Sequence, residues 1–220
     1  IMIYLQDERY QSMHKRCLKL ATYITYYPVE FMEEYRIIEQ IPIEFIMSYF
    51  IRSDDKKIIL ECINILLNIV ILGSDFLDIY IRYDDEINEY DFNIFMNKLI
   101  NCMNEGNLLI IKRAFWLVWN MFYVGTKEQL IAICNTGILD YLEDSCEIDD
   151  DNFIINIMIR SITRVIGFIT KKGLESTDPF DHCIDAFINI MKCLYDNNSK
   201  AVSDAANAFL NDFYSNSQNE

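Results

Sequence analysis

Six glycines and three prolines in 220 residues are too few for the hairpins and tight turns that a β-rich chain needs. Long helices joined by short polar loops are expected instead, which makes the fold class all-α. Positive charge is also scarce. The 19 Lys plus Arg stand against 34 Asp plus Glu, a formal charge of −15, so a phosphate-seeking protein is not indicated and no nucleic acid is expected as a partner. Two histidines occur, His14 and His182, with no P-loop, G-x-G-x-x-G or H-E-x-x-H pattern. Cys183 adjoins His182, but sequence neighbours on a helix point about 100° apart, and no third residue is evident to orient a base. Neither an enzyme nor a cofactor is expected. The seven cysteines (17, 62, 102, 134, 146, 183 and 193) include no C-x-x-C pair, so buried reduced thiols of an intracellular protein are expected rather than a metal site. The most apolar run, 58–72, is interrupted by Glu61, Asn64 and Asn68 and is too short for a bilayer, so no membrane partner is expected. No secretory leader pattern stands at the start, and an opening Ile1 suggests a cut fragment.

What is present is apolar. With 52% hydrophobic residues, 14 Tyr, 14 Phe and 24% charged residues, the chain has ample material for a core. It also repeats itself. One helix-length apolar segment follows Asp54-Asp55-Lys56-Lys57 and ends at Gly73-Ser74; a second follows Asn107 and ends at Gly125-Thr126. Each has an Asn five residues before the Gly (Asn68, Asn120) and a small residue six before that Asn (Cys62, Ala114). Weaker copies place Tyr23, Arg164 and Asn211 in the same slot, at spacings of 45, 52, 44 and 47 residues. That period is the one shown by armadillo and HEAT solenoids. A single right-handed α-solenoid is therefore expected, with repeats at about 1–52, 53–103, 104–146, 147–177 and 178–215 and a polar tail at 216–220.

Most apolar positions in these segments need only core packing to explain them. The polar slots ask for more. Residues four apart share a helical face, so Trp116 with Asn120, Asn64 with Asn68, Lys19 with Tyr23, Arg160 with Arg164 and Asn207 with Asn211 form five rungs. In a stacked array such a face lines one groove. There an Asn amide can pair with an extended peptide backbone, and an indole can hold a Lys or Arg stem. Trp116 is placed in the groove, with inter-repeat packing as its alternative, and Trp119 is placed in the core. Asn68 and Asn120 must meet water, ligand or a neighbouring repeat. The acidic stretches 84–86 and 149–151 read as solvated surface.

The segment from Lys112 to Asn120 (K-R-A-F-W-L-V-W-N), then Gly125-Thr126-Lys127-Glu128-Gln129-Leu130 and Thr136-Gly137-Ile138-Leu139, resembles the late armadillo repeats of the importin α family. The close of the chain, Asp178-Pro179-Phe180 and Ala206 to Tyr214, resembles that family's terminal repeat. On that register the chain spans roughly repeats six to ten, and Lys19 falls where the sixth repeat carries Arg in place of Trp. The resemblance implies an adaptor that shuttles between cytoplasm and nucleus. It would bind basic nuclear localisation signals of cargo proteins, a β-karyopherin through a segment absent from these residues, and an export receptor at the last repeat. It further implies that peptide-binding residues are Glu61, Asn64, Asn68, Trp116 and Asn120. Arg113 stands where the family has an acid, and Arg160 and Arg164 add like charge against a cationic cargo. A divergent armadillo scaffold that has lost signal recognition is therefore the alternative.

Overall fold

Asp55 and Asn107 begin the two strongest helices for the same reason. Each holds an extended backbone and turns its side-chain oxygen onto an otherwise orphaned amide of the first turn, Lys57 N at 3.0 Å and Ile110 N at 3.0 Å. The computed structural model describes residues 11–26, 41, 43–81, 92–105, 107–144, 152–172, 180–196 and 200–217. These contain α1 (Gln11–Thr25), α2 (Ile43–Arg52), α3 (Lys56–Val70), α4 (Ser74–Ile81), α5 (Phe92–Glu105) and α6 (Leu108–Val124). Next come α7 (Lys127–Cys134), α8 (Ile138–Asp144), α9 (Asn152–Lys172), α10 (Phe180–Tyr195) and α11 (Lys200–Ser217). No strand occurs among the described residues, and the chain is all-α, as the scarcity of glycine and proline implied. The acidic stretches 84–86 and 149–151 and Cys146 lie outside the described residues.

Helix ends depart slightly from the expected ones. The helix expected over 58–72 runs from Lys56 to Val70, because the Asp55 cap starts it earlier. Ile71 and Leu72 already belong to a turn that closes on Gly73, whose φ of +146° suits a residue without a Cβ. Gly137, at φ +74°, makes the corresponding turn between α7 and α8. The last helix continues through Ser217, two residues into the stretch expected to be tail.

The chain divides into two compact units, 1–129 and 130–220. In the first, α3 packs between α1 and α6, and this row of three helices is backed by α2, α4 and α5. The core between the layers is aromatic and branched: Phe50 meets Phe95 edge-on at 5.5 Å between ring centres, and Ile63, Leu66 and Trp119 are fully buried. Being covered on three sides explains why α3 is apolar almost all round, with Glu61, Asn64 and Asn68 as a half-buried polar stripe. In the second unit α10 packs against α8 and α11, and α9 against α10 and α11. Cys183, Phe187, Ile190 and Met191 supply the buried face of α10. Trp119 is in the core, as its position three residues past Trp116 suggested.

Candidate functional site

The row α1, α3, α6 has one face against the backing helices, and among the described residues no helix packs on the other. Three contacts fix the direction of α1 against α3. Lys15 pairs with Asp55, Thr22 Oγ1 donates to Glu61 Oε2 at 2.8 Å, and Asn68 Nδ2 donates to Thr25 Oγ1 at 3.0 Å. The partners advance along both helices in the same sense, so α1 and α3 run parallel, as equivalent helices of successive repeats do.

On α3, Glu61, Asn64 and Asn68 share one face at i, i+3 and i+7; on α6, Arg113, Trp116 and Asn120 do the same. All six are half-buried. Arg16, Lys19 and Tyr23 repeat the spacing on α1 and are exposed. The expected binding residues therefore lie in stripes on two neighbouring helices, and Glu61, Asn68 and Asn120 already have hydrogen-bond partners within the fold. Asn120 Nδ2 donates to the Trp116 carbonyl of its own helix at 2.7 Å. The Arg113 guanidinium lies over the Trp116 ring, 5.0 Å from its centre, in the place a cationic ligand would take. Lys19 Nζ sits 6.0 Å from the centre of the Tyr23 ring. In the second unit Arg160, Arg164, Asn207 and Asn211 are exposed, and Asn211 Nδ2 donates to Asn207 Oδ1 at 3.2 Å.

Thr22 and Thr25 were not foreseen as part of this site. Their only signal was position, three residues apart on the helix face turned toward Glu61 and Asn68. The motif around Gln129 gave no sign of its role. Thr126 N donates to Gln129 Oε1 at 2.8 Å and Gln129 N donates back to Thr126 Oγ1 at 3.4 Å, a reciprocal cap at the start of α7. Its Nε2 then donates to Ser74 O at 2.9 Å and Asp78 Oδ1 at 2.6 Å on α4.

Other chemistry is modest. Burial pushes the Cys102 thiol up to about 11 and raises Cys62 further. Cys134 and Cys183 are free, with sulfurs 3.2 Å apart, and Cys183 is raised by that hydrogen bond and by burial, the reverse of what a nucleophile needs. The exposed His182 Nε2 lies 3.4 Å from Asp140 Oδ1, while the buried His14 Nδ1 shares a hydrogen bond with the Tyr49 hydroxyl at 2.5 Å. A cavity of about 150 Å³ between Ile59, Cys102 and Ile110 is smaller than the roughly 300 Å³ at which small-molecule sites begin. Among the described residues no helix is long and apolar enough to cross a membrane, and no His, Cys, Asp or Glu cluster could hold a metal.

The Lys15–Asp55 contact has a pH consequence. The hydrogen bond from Lys15, and then that from Lys57 N, hold the Asp55 carboxyl below its ordinary 3.8. The folded chain thus binds fewer protons there than the unfolded one, so this stabilisation is present above about pH 4 and fades as pH falls through the lowered value. Urea midpoints should fall on acidification less steeply in Asp55→Asn than in the native chain; equal slopes would show that the contact adds nothing.

The fold is of armadillo type. A computationally designed armadillo repeat protein for modular peptide recognition superposes with a TM-score of 0.58 at 14% identity, over 94% of this chain and 97% of that one. A designed armadillo repeat protein in complex with the peptide (KR)4 matches with a TM-score of 0.52 at 14% identity, over 94% and 97%. An engineered protein matches at 0.53 and 17% identity, over 94% and 85%. No family model matches the sequence, and no curated protein matches it. Likeness at this level of identity shows the architecture, and the narrower resemblance to importin α gains nothing from it.

Proposed function

We propose that this chain is a protein–protein interaction module that holds an extended segment of its partner along the open face of α1, α3 and α6, without covalent chemistry. The supporting observation is the pair of half-buried stripes, Glu61–Asn64–Asn68 and Arg113–Trp116–Asn120, on adjacent helices of an armadillo fold. A half-buried indole still has apolar surface for a ligand to cover, and a half-buried amide can exchange water for a ligand's hydrogen bond. A structural neighbour with this fold, designed rather than natural, holds the peptide (KR)4.

The scaffold reading is the better supported, because Arg113 already sits on the Trp116 ring. The second reading is an importin-α-like adaptor for basic nuclear localisation signals. It would partner a β-karyopherin and an export receptor and move between cytoplasm and nucleus. Glu61 and the net charge of −15 favour it.

Selection of dodecamers from a displayed random-peptide library tests the module reading. Selected peptides should lose at least about tenfold in affinity on Trp116→Ala, as a central aromatic contact does. Peptides indifferent to both Trp116→Ala and Asn68→Ala would place binding elsewhere. A selected set dominated by Lys and Arg would move the function to the adaptor reading.

A further inference from the structure

We infer that the segment held on this face is acidic. The inference rests on the open face being the binding surface, and it follows from how charge is distributed. The chain is strongly acidic overall, yet α1 contains Lys15, Arg16 and Lys19 with no acid, and α6 contains Lys112 and Arg113 with no acid. On α3 the one carboxylate is Glu61, set against Lys56 and Lys57 in the first turn. The acidic excess therefore lies off the three helices that build the face.

Placement sharpens the contrast. Glu61 is half-buried and accepts the Thr22 hydroxyl at 2.8 Å, so part of its capacity is used within the fold. Lys15 is matched by Asp55 at the edge of the row. Arg16 and Lys19 project from α1 in the exposed stripe with Tyr23, and Arg113 is held half-buried over Trp116. A second cation arriving at Trp116 meets like charge, whereas a carboxylate meets a guanidinium that its own indole has already positioned. Exposed Tyr23 and Tyr26 add phenol donors at the same end of α1.

Among the described residues Glu61 is the only carboxylate within α1, α3 and α6. With a screening length of about 8 Å at physiological salt, the charges on these helices outweigh those of residues farther away. Size fits as well. Three helices packed roughly 8–10 Å apart present a width of about 20 Å between the outer axes. That is the length of about five or six extended residues at about 3.3 Å each.

Fluorescence anisotropy with three labelled octapeptides, octaglutamate, (KR)4 and (Gly-Ser)4, tests the inference at 0.15 M and at higher salt. Octaglutamate should bind saturably and most tightly, weaken at the higher salt, and lose about tenfold in each of Arg16→Glu and Lys19→Glu. Both positions are exposed, so circular dichroism of the two variants should match the native chain. Tightest binding of (KR)4, if lost on Trp116→Ala, would overturn the acidic ligand and leave the binding face in place. Binding of none of the three would overturn the acidic ligand, and the peptide selection then decides separately whether the face binds at all. Octaglutamate bound equally by both variants would put its site elsewhere. A dimer in light scattering that Arg16→Glu dissolves would give the face to a second copy of the chain and overturn the inference.

Discussion

Trp119→Ala should cost about 3–5 kcal/mol of stability, while Trp116→Ala, three residues earlier on the same helix, should cost less than about 1.5 kcal/mol. The two indoles are the chain's only tryptophans, and α6 carries both. Trp119 is fully buried, in contact with Phe122 at 5.6 Å between ring centres, and removing it leaves a cavity that a helix clamped by α3 and α5 cannot collapse into. Trp116 is half-buried under Arg113, so its removal forfeits partial burial and one cation–π contact. For a chain of this length each kcal/mol is worth roughly 2–4 °C, so Trp119→Ala should lower the Tm by about 10 °C and Trp116→Ala by only a few. Peptide binding should rank them the other way. Urea denaturation followed by circular dichroism, alongside titration of a selected peptide, checks both orders. A Trp116→Ala chain as unstable as Trp119→Ala would make Trp116 a packing residue and remove it from the site.

That contrast shows what was legible in the sequence. The start of α6 was readable because Asn107 stands directly before a long apolar run, whereas α3 begins two residues ahead of its apolar run, at Lys56, where the Asp55 cap sets it. The rungs were readable because a spacing of three or four puts residues on one face whatever surrounds the helix. Arg113 was readable as a charge in the wrong place for a cationic ligand, and its position over Trp116 follows from the i, i+3 relation. The direction in which each polar side chain turned was not readable. Asn120 turns back to a carbonyl four residues earlier, while Asn68, in the same slot of its helix, crosses to Thr25, 43 residues away. Nothing local separates the two; the difference is whether a hydroxyl stands on the neighbouring helix. The hold of Thr22 on Glu61, across 39 residues, was hidden for the same reason. An acid read as an attractor for ligand is in part a strut between α1 and α3.

Gln129→Ala should destabilise the chain by about 2–4 kcal/mol and leave peptide affinity on the open face almost unchanged. Gln129 is nearly fully buried, and its side chain accepts from Thr126 N while donating to Ser74 O and Asp78 Oδ1. Truncation removes three hydrogen bonds, each worth about 1 kcal/mol, and leaves Thr126 N, the half-buried Ser74 carbonyl and Asp78 Oδ1 without the amide they shared. Gln129→Glu separates these contributions. It keeps the cap, because a carboxylate accepts from Thr126 N as the amide does. At neutral pH, however, it sets two carboxylates face to face at Asp78, so the variant should lose more stability at pH 7 than at pH 5, where a protonated Glu can donate again. A Tm lowered by about 5–10 °C in Gln129→Ala, with peptide binding intact, would identify the G-T-x-E-Q turn as a clasp tying α7 to α4. The reverse pattern, weakened binding at unchanged Tm, would make the turn part of the binding surface. The clasp outcome would limit what a resemblance in that turn can say: it would mark how a repeat is joined to the one before it, and leave the choice of ligand to the charges along α1, α3 and α6.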